Sequence, residues 1–142
     1  MNWGARVIAS VVIAALEVTI LEPALAASGG SIPAMPAGDP SRGQLLYEQM
    51  CSGCHSLDSN RVGPAHRGVV GRRIASVPGY TYSYAIRRLG GSWTRRRLEA
   101  WLAGPQRVAP GSRMFFTVDD PAERRDIITY LATSSIVART NH

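Results

Sequence analysis

At 142 residues the chain has room for one domain and none for a second. Hydrophobic residues at 45% and charged residues at 18% are an ordinary globular balance, which excludes a disordered main body. All sixteen basic residues are Arg, set against ten acids for a formal charge of +6; without a binding motif, that charge does not make nucleic acid a partner.

The first segment reads as a targeting signal: Arg6 in a short positive region, an apolar run from Val7 to Ile13, and Ala24-Leu25-Ala26 as a small-residue cleavage site. Cleavage is expected after Ala26, which makes residues 1–26 a signal peptide and the mature protein periplasmic. Membrane anchoring is the alternative if the signal stays attached, and Glu17 and Glu22 weigh against it because carboxylates are costly in a bilayer. Without this segment the chain carries 15 Arg against 8 acids, formally +7.

Residues 27–38 are rich in turn formers and predict a flexible leader. Asp39 and Pro40 supply a cap and a first helical residue for a helix to about Met50. From His55 to Tyr82 no periodic segment occurs, and Gly63, Pro64, Gly68, Gly71, Pro78 and Gly79 punctuate the chain. Such a stretch is long for an unsupported loop, so something bulky and apolar, such as a cofactor, is expected to hold it.

A short helix is predicted over Ser83–Leu89 and a longer one over Thr94–Ala103, with Leu98, Trp101 and Leu102 on its apolar face. Arg95, Arg96 and Arg97 in its first turn oppose the helix dipole. Asp120, Pro121 and Glu123 open a last helix with Ile127, Ile128, Tyr130 and Leu131 as its stripe. No segment alternates as a strand. The expected fold is all-α: three or four helices and long loops in a domain spanning 39–134, with 135–142 as a tail.

The chemistry concentrates at Cys51-Ser52-Gly53-Cys54-His55. Two thiols separated by two residues, with an imidazole next in line, have the spacing for covalent haem attachment, the His being presented to the iron. Two rival readings use the same thiols. A thioredoxin-like redox pair needs a βαβ context that is missing, and a structural zinc site needs further ligands where only His66 and His142 remain.

An iron held by one His needs its other axial position filled. The best candidate is Met114, preceded by the turn formers Pro110 and Gly111 and followed by Phe115 and Phe116. A plain core-packing role is its alternative. Met50 and Met35 compete poorly, one just before the haem motif and the other in the leader.

From Gly38 to Leu131 the chain resembles the class I cytochromes c of mitochondria and alphaproteobacteria. The residues that carry this are Gly38-Asp39-Pro40-Ser41-Arg42-Gly43 with Tyr47, the haem motif, Gly63-Pro64, Gly68-Val69-Val70-Gly71-Arg72, Pro78 to Ser83, Trp93, Pro110 to Met114, and Arg125 to Leu131. The resemblance implies a cytochrome c fold wrapped around one haem c attached through Cys51 and Cys54, with His55 and Met114 as the axial pair. It implies that the Pro64 carbonyl accepts a hydrogen bond from His55, that Arg72, Tyr82 and Trp93 hold a haem propionate, and that Ser112 and Trp101 are pocket residues. It also implies that Gly43 and Tyr47 pack on the last helix near Tyr130.

Three positions depart from the family pattern. Ile86 stands where a polar residue is common, Trp101 where a Tyr is, and His66 where the side chain is usually apolar. His66 follows the His55 loop, so it is expected on the His55 side of the ring, packed on the pocket wall. No hydroxyl bond to the Met114 sulfur is assumed.

The implied function is single-electron transfer by a monomer whose partners present acidic faces to Arg61, Arg107 and Arg113: an oxidase, a cytochrome bc-type complex, a reaction centre or a dehydrogenase. The alternative is a small peroxidase-like haem enzyme, or a haem subunit of a dehydrogenase complex, with a labile Met114. That role calls for an acid/base group on the open side, and none is evident.

Overall fold

The computed structural model describes residue 1 and residues 37–140, with side chains to Ser134. The signal, its cleavage site, most of the leader, Met35 and His142 lie outside the described residues. Among those described, five helices form: α1 (Pro40–Met50), α2 (Tyr84–Leu89), α3 (Arg95–Ala103), α4 (Pro105–Val108) and α5 (Pro121–Thr140). No strand accompanies them, only one antiparallel bridge between Arg73 and Ser92.

The helix starts follow their capping residues. The Asp39 carboxylate accepts from the amides of Ser41 and Arg42 ahead of α1, and the Ser83 and Thr94 hydroxyls accept from Ile86 and Arg97 ahead of α2 and α3. Asp120 caps α5 through the Ala122 amide, but Glu123 does not close a capping box; it faces Arg42 at 3.7 Å. α5 runs on to Thr140 and takes in part of the 135–142 segment. Helix α4 goes beyond the sequence reading, which ends the α3 region at Gly104 and Pro105; Pro105 instead begins one further turn.

Helices α1 and α5 make the principal interface. A Cβ at Gly43 would strike the Asp126 carbonyl of α5, so this position lets the two backbones meet. The buried Asp126 carboxylate accepts from the Asp39 amide at 2.8 Å and from Arg42 at 3.0 Å, tying the start of α1 to α5. Tyr47 packs on Tyr130 with ring centroids 5.5 Å apart. Ile127 and Ile128 are fully enclosed, and Leu98, Trp101 and Leu102 of α3 join them in the core, as their spacing predicts.

The arginines at the start of α3 find acceptors. Arg97 donates to the Gly90 carbonyl at 2.7 Å, and Arg95 reaches Thr129. These bonds offset the unfavourable dipole contact. Farther along α3, Glu99 accepts from Arg124 of α5 at 2.5 Å.

The 55–82 stretch is held by side-chain bonds as well as by the space it encloses. Asn60 accepts from the Ala65 amide and donates to the Pro78 carbonyl, Tyr80 donates to the Val62 carbonyl, and Arg67 pairs with Asp58 while donating to the Ser134 carbonyl of α5 at 3.0 Å.

Candidate functional site

This stretch, together with α2, α3 and the segment around Met114, encloses a cavity of about 400 Å³. Its wall is mostly apolar and includes Val69, Ile86, Leu98, Leu102, Ile127 and Leu131. Cys51, Cys54, His55, Pro64, Arg72, Tyr82, Trp93, Ser112 and Met114 all reach it. The residues proposed from sequence, scattered over some sixty positions, therefore meet around one space.

The thiols sit where α1 ends. Cys51 is the residue after its last turn, its amide bonded to the Tyr47 carbonyl, and the chain then turns so that the His55 amide returns to the Cys51 carbonyl at 2.9 Å. Both cysteines are free. Burial, then the neighbouring Cys54, pushes the Cys51 thiol up to about 11.

His55 is fixed on several sides. Its Nδ1 lies 2.9 Å from the Pro64 carbonyl. A carbonyl can only accept, so Nδ1 carries the proton and the lone pair stays on Nε2, the state a metal needs. Burial lowers the pKa of His55 and the Pro64 bond partly restores it. A Cβ at Gly63 would penetrate the His55 ring, so only Gly allows this approach.

Met114 is held from two directions. The Trp101 indole donates to its sulfur at 3.1 Å, where the family resemblance promises no such bond. Gln106, in α4, donates to the carbonyls of Met114 at 2.7 Å and Ser112 at 2.9 Å and accepts from the Gly111 amide at 3.1 Å. Ser112 is buried, its hydroxyl against the same amide group. Sequence reasoning missed Gln106. Its spacing to residues 111–114 carries no periodic signal, and its role exists only because α4 folds under that loop.

His66 lies on the His55 side, as expected. The two imidazoles are stacked, with centroids 3.9 Å apart and planes 18° apart. Burial, then the neighbouring His55 and Arg72, holds the His66 pKa well down. Its Nδ1 is buried without a partner, as is the Tyr47 hydroxyl.

Arg72 donates to the carbonyls of Ala65 at 2.7 Å and Arg67 at 3.0 Å, leaving a buried Nε without an acceptor. The Tyr82 hydroxyl accepts from the Val77 amide at 3.3 Å, and Trp93 packs obliquely on Trp101. A haem fits this site on the structure's own terms. The wall is mostly apolar, two free thiols and a neutral imidazole share it with a thioether, and the half-buried Arg72 has a buried donor to spare for a carboxylate.

At the cavity mouth, Val62 and Phe115 are about three-quarters exposed, and Arg113 lines the same opening. Arg61 and Arg107 are exposed but do not line the cavity. Each of the three guanidinium groups donates to a backbone carbonyl: Arg61 to Ser52, Arg107 to Ala103 and Arg113 to Thr81. Among the described residues, no cluster of three or more His, Cys, Asp or Glu forms that could hold a metal ion, and no helix is long and apolar enough to cross a membrane.

Residues 40–135 match the sequence model of the cytochrome c family. Cytochrome c-type cyt cy of Rhodobacter capsulatus is 39% identical over 103 residues, 71% of this chain and 52% of that protein. Cytochrome c2 of Rhodopila globiformis is 42% identical over 101 residues, 69% of this chain and 95% of that protein. Among solved structures, cytochrome cH from Methylobacterium extorquens superposes with a TM-score of 0.65 at 38% identity, covering 68% of this chain and 99% of the other.

Proposed function

The chain belongs to the cytochrome c family, electron carriers with covalently bound haem, and from that premise we propose that it is a periplasmic monohaem carrier whose iron is held by His55 and Met114. One observation supports this reading above the others: His55, oriented by the Pro64 carbonyl, and Met114, oriented by Trp101 and Gln106, face one apolar cavity that both thiols also reach.

Cys51 and Cys54 would attach the haem, and Arg72, Tyr82 and Trp93 would surround a propionate. When bound, the haem supplies a one-electron couple between ferric and ferrous iron, and a Met ligand favours the reduced state. The chain's own contribution is to keep both ligands in place in either state. Pro64 and Gly63 hold His55, while Trp101 and Gln106 hold Met114. The apolar wall excludes water.

Partners with acidic faces would meet Arg113 at the cavity mouth and Arg61 and Arg107 nearby, with Val62 and Phe115 as apolar contacts. Export rests on the Arg6 to Ala26 signal. A peroxidase role needs an acid/base group on the Met114 side, and among the described residues those lining the cavity include no carboxylate.

The test is a pyridine haemochrome assay with oxidised and reduced spectra of the purified protein and of Met114→Ala. One haem per chain and a low-spin spectrum with a sulfur-to-iron charge-transfer band, lost in Met114→Ala, are expected. A colourless protein would refute the haem, and an unchanged variant spectrum would refute the ligand.

A further inference from the structure

His66 and Tyr47 place two polar atoms in the interior behind His55, and neither serves the ligation described above. Buried polar groups are ordinarily bonded, and leaving one unpaired is destabilising. Here two such orphans sit on neighbouring rings. The His66 and Tyr47 rings meet edge-on with centroids 5.8 Å apart, and His66 Nδ1 and the Tyr47 hydroxyl are both unpartnered. A buried water takes two to four such partners. On its other side the His66 ring lies nearly parallel to His55 at 3.9 Å.

We propose that His66 is a positioning residue for His55: its ring fixes the plane of the axial imidazole, one buried water ties its Nδ1 to the Tyr47 hydroxyl, and the assembly lowers the haem reduction potential. The inference rests on the proposed role of His55 as an iron ligand. Pro64 fixes only Nδ1, about which the ring can still swing, and a stacked face removes that freedom. The sign of the potential follows from the ring's charge distribution. An aromatic face is negative, and oxidation of the iron draws electron density from His55, so the π face of His66 stabilises the ferric state as it would a cation. An aliphatic side chain at this position lacks that face.

The experiment compares wild type, His66→Leu, His66→Phe and Tyr47→Phe by midpoint potential, by ferric electron paramagnetic resonance, whose anisotropy reports the axial imidazole plane, and by denaturant unfolding. His66→Leu is expected to shift the equilibrium with a reference couple about three-fold toward the reduced form, about 28 mV for one electron, and to change the anisotropy. His66→Phe, which keeps an aromatic face, is expected to hold both near wild type. Tyr47→Phe and His66→Leu should be non-additive in unfolding by at least about three-fold, the signature of a shared partner.

A His66→Leu protein with wild-type potential and anisotropy would overturn the positioning role and leave His66 as a space filler. Additive unfolding would overturn the water link. If His66→Leu does not accumulate, His66→Val, which likewise lacks an aromatic face, must move the potential in the same direction, and no movement counts against the proposal. Failure of the His55 assignment is separate, because the wild-type ferric spectrum would then lack low-spin imidazole ligation.

Discussion

The Trp101 indole N–H points at the Met114 sulfur from 3.1 Å, so one of the two sulfur lone pairs is engaged by the protein. An indole can donate but not accept, which makes this contact independent of hydroxyl orientation. With Met114 as the proposed ligand, the bond would withdraw electron density from the thioether and favour ferrous iron. Trp101→Phe should therefore lower the midpoint potential by about 40 mV, the equivalent of about 1 kcal/mol for one electron. Voltammetry measures it, and the sulfur-to-iron charge-transfer band should move as well.

Gln106 secures the backbone on either side of Met114. Gln106→Leu removes its bonds to Gly111, Ser112 and Met114, leaving the Ser112 carbonyl unpaired and the Met114 carbonyl with only the Ser112 hydroxyl at 3.4 Å. Exogenous imidazole should displace Met114 in the ferric variant at least tenfold faster than in wild type, as stopped-flow absorbance would record.

Close approach of neighbouring groups makes Gly43 and Gly63 intolerant of a side chain. Gly43→Ala would drive a methyl group into the Asp126 carbonyl, separating α1 from α5 at a cost of about 1–3 kcal/mol or more. Gly63→Ala would displace the His55 ring itself. Urea unfolding should show the first loss, and a spectrum with disturbed His ligation the second.

The Asp58 carboxyl is held below its ordinary range, chiefly by its hydrogen bond to Arg67, which also donates to the Ser134 carbonyl. A depressed folded-state pKa adds stability above the unfolded value of about 3.9, and this is lost as pH falls through the folded value. Asp58→Asn should cost about 0.2–1 kcal/mol at pH 7, the range of an exposed pair, and progressively less below about pH 4. Denaturant midpoints of both proteins at pH 7 and pH 3 check the sign.

Electron transfer to an acidic partner should slow as salt rises, because the basic groups at and near the cavity mouth act through a screened field. Arg113→Glu should reduce both the rate at low ionic strength and its salt dependence, with the midpoint potential little changed. Stopped-flow rates at several ionic strengths measure this.

Helix starts were legible wherever a local device marks them, as Asp39-Pro40, Ser83, Thr94 and Asp120-Pro121 do, since a cap needs only residues two or three apart. The haem-attachment motif was legible for the same reason: its chemistry fits within five consecutive residues. Helix α4 was not, because four residues give no periodicity and Pro105 reads equally as an ending or a beginning.

Cys51, Cys54 and His55 by themselves determined where a haem can be attached, and the positive charge of the chain was settled by composition. Which atoms steady His55 and Met114 was decided only by tertiary structure. The Trp101 to Met114 bond joins residues 13 apart, Arg67 reaches Ser134 across 67 positions, and the stacked imidazoles of His55 and His66 meet because the intervening loop folds back. Hydrogen bonds and ring contacts act over a few ångströms, and sequence separation says nothing about such distances until packing closes them.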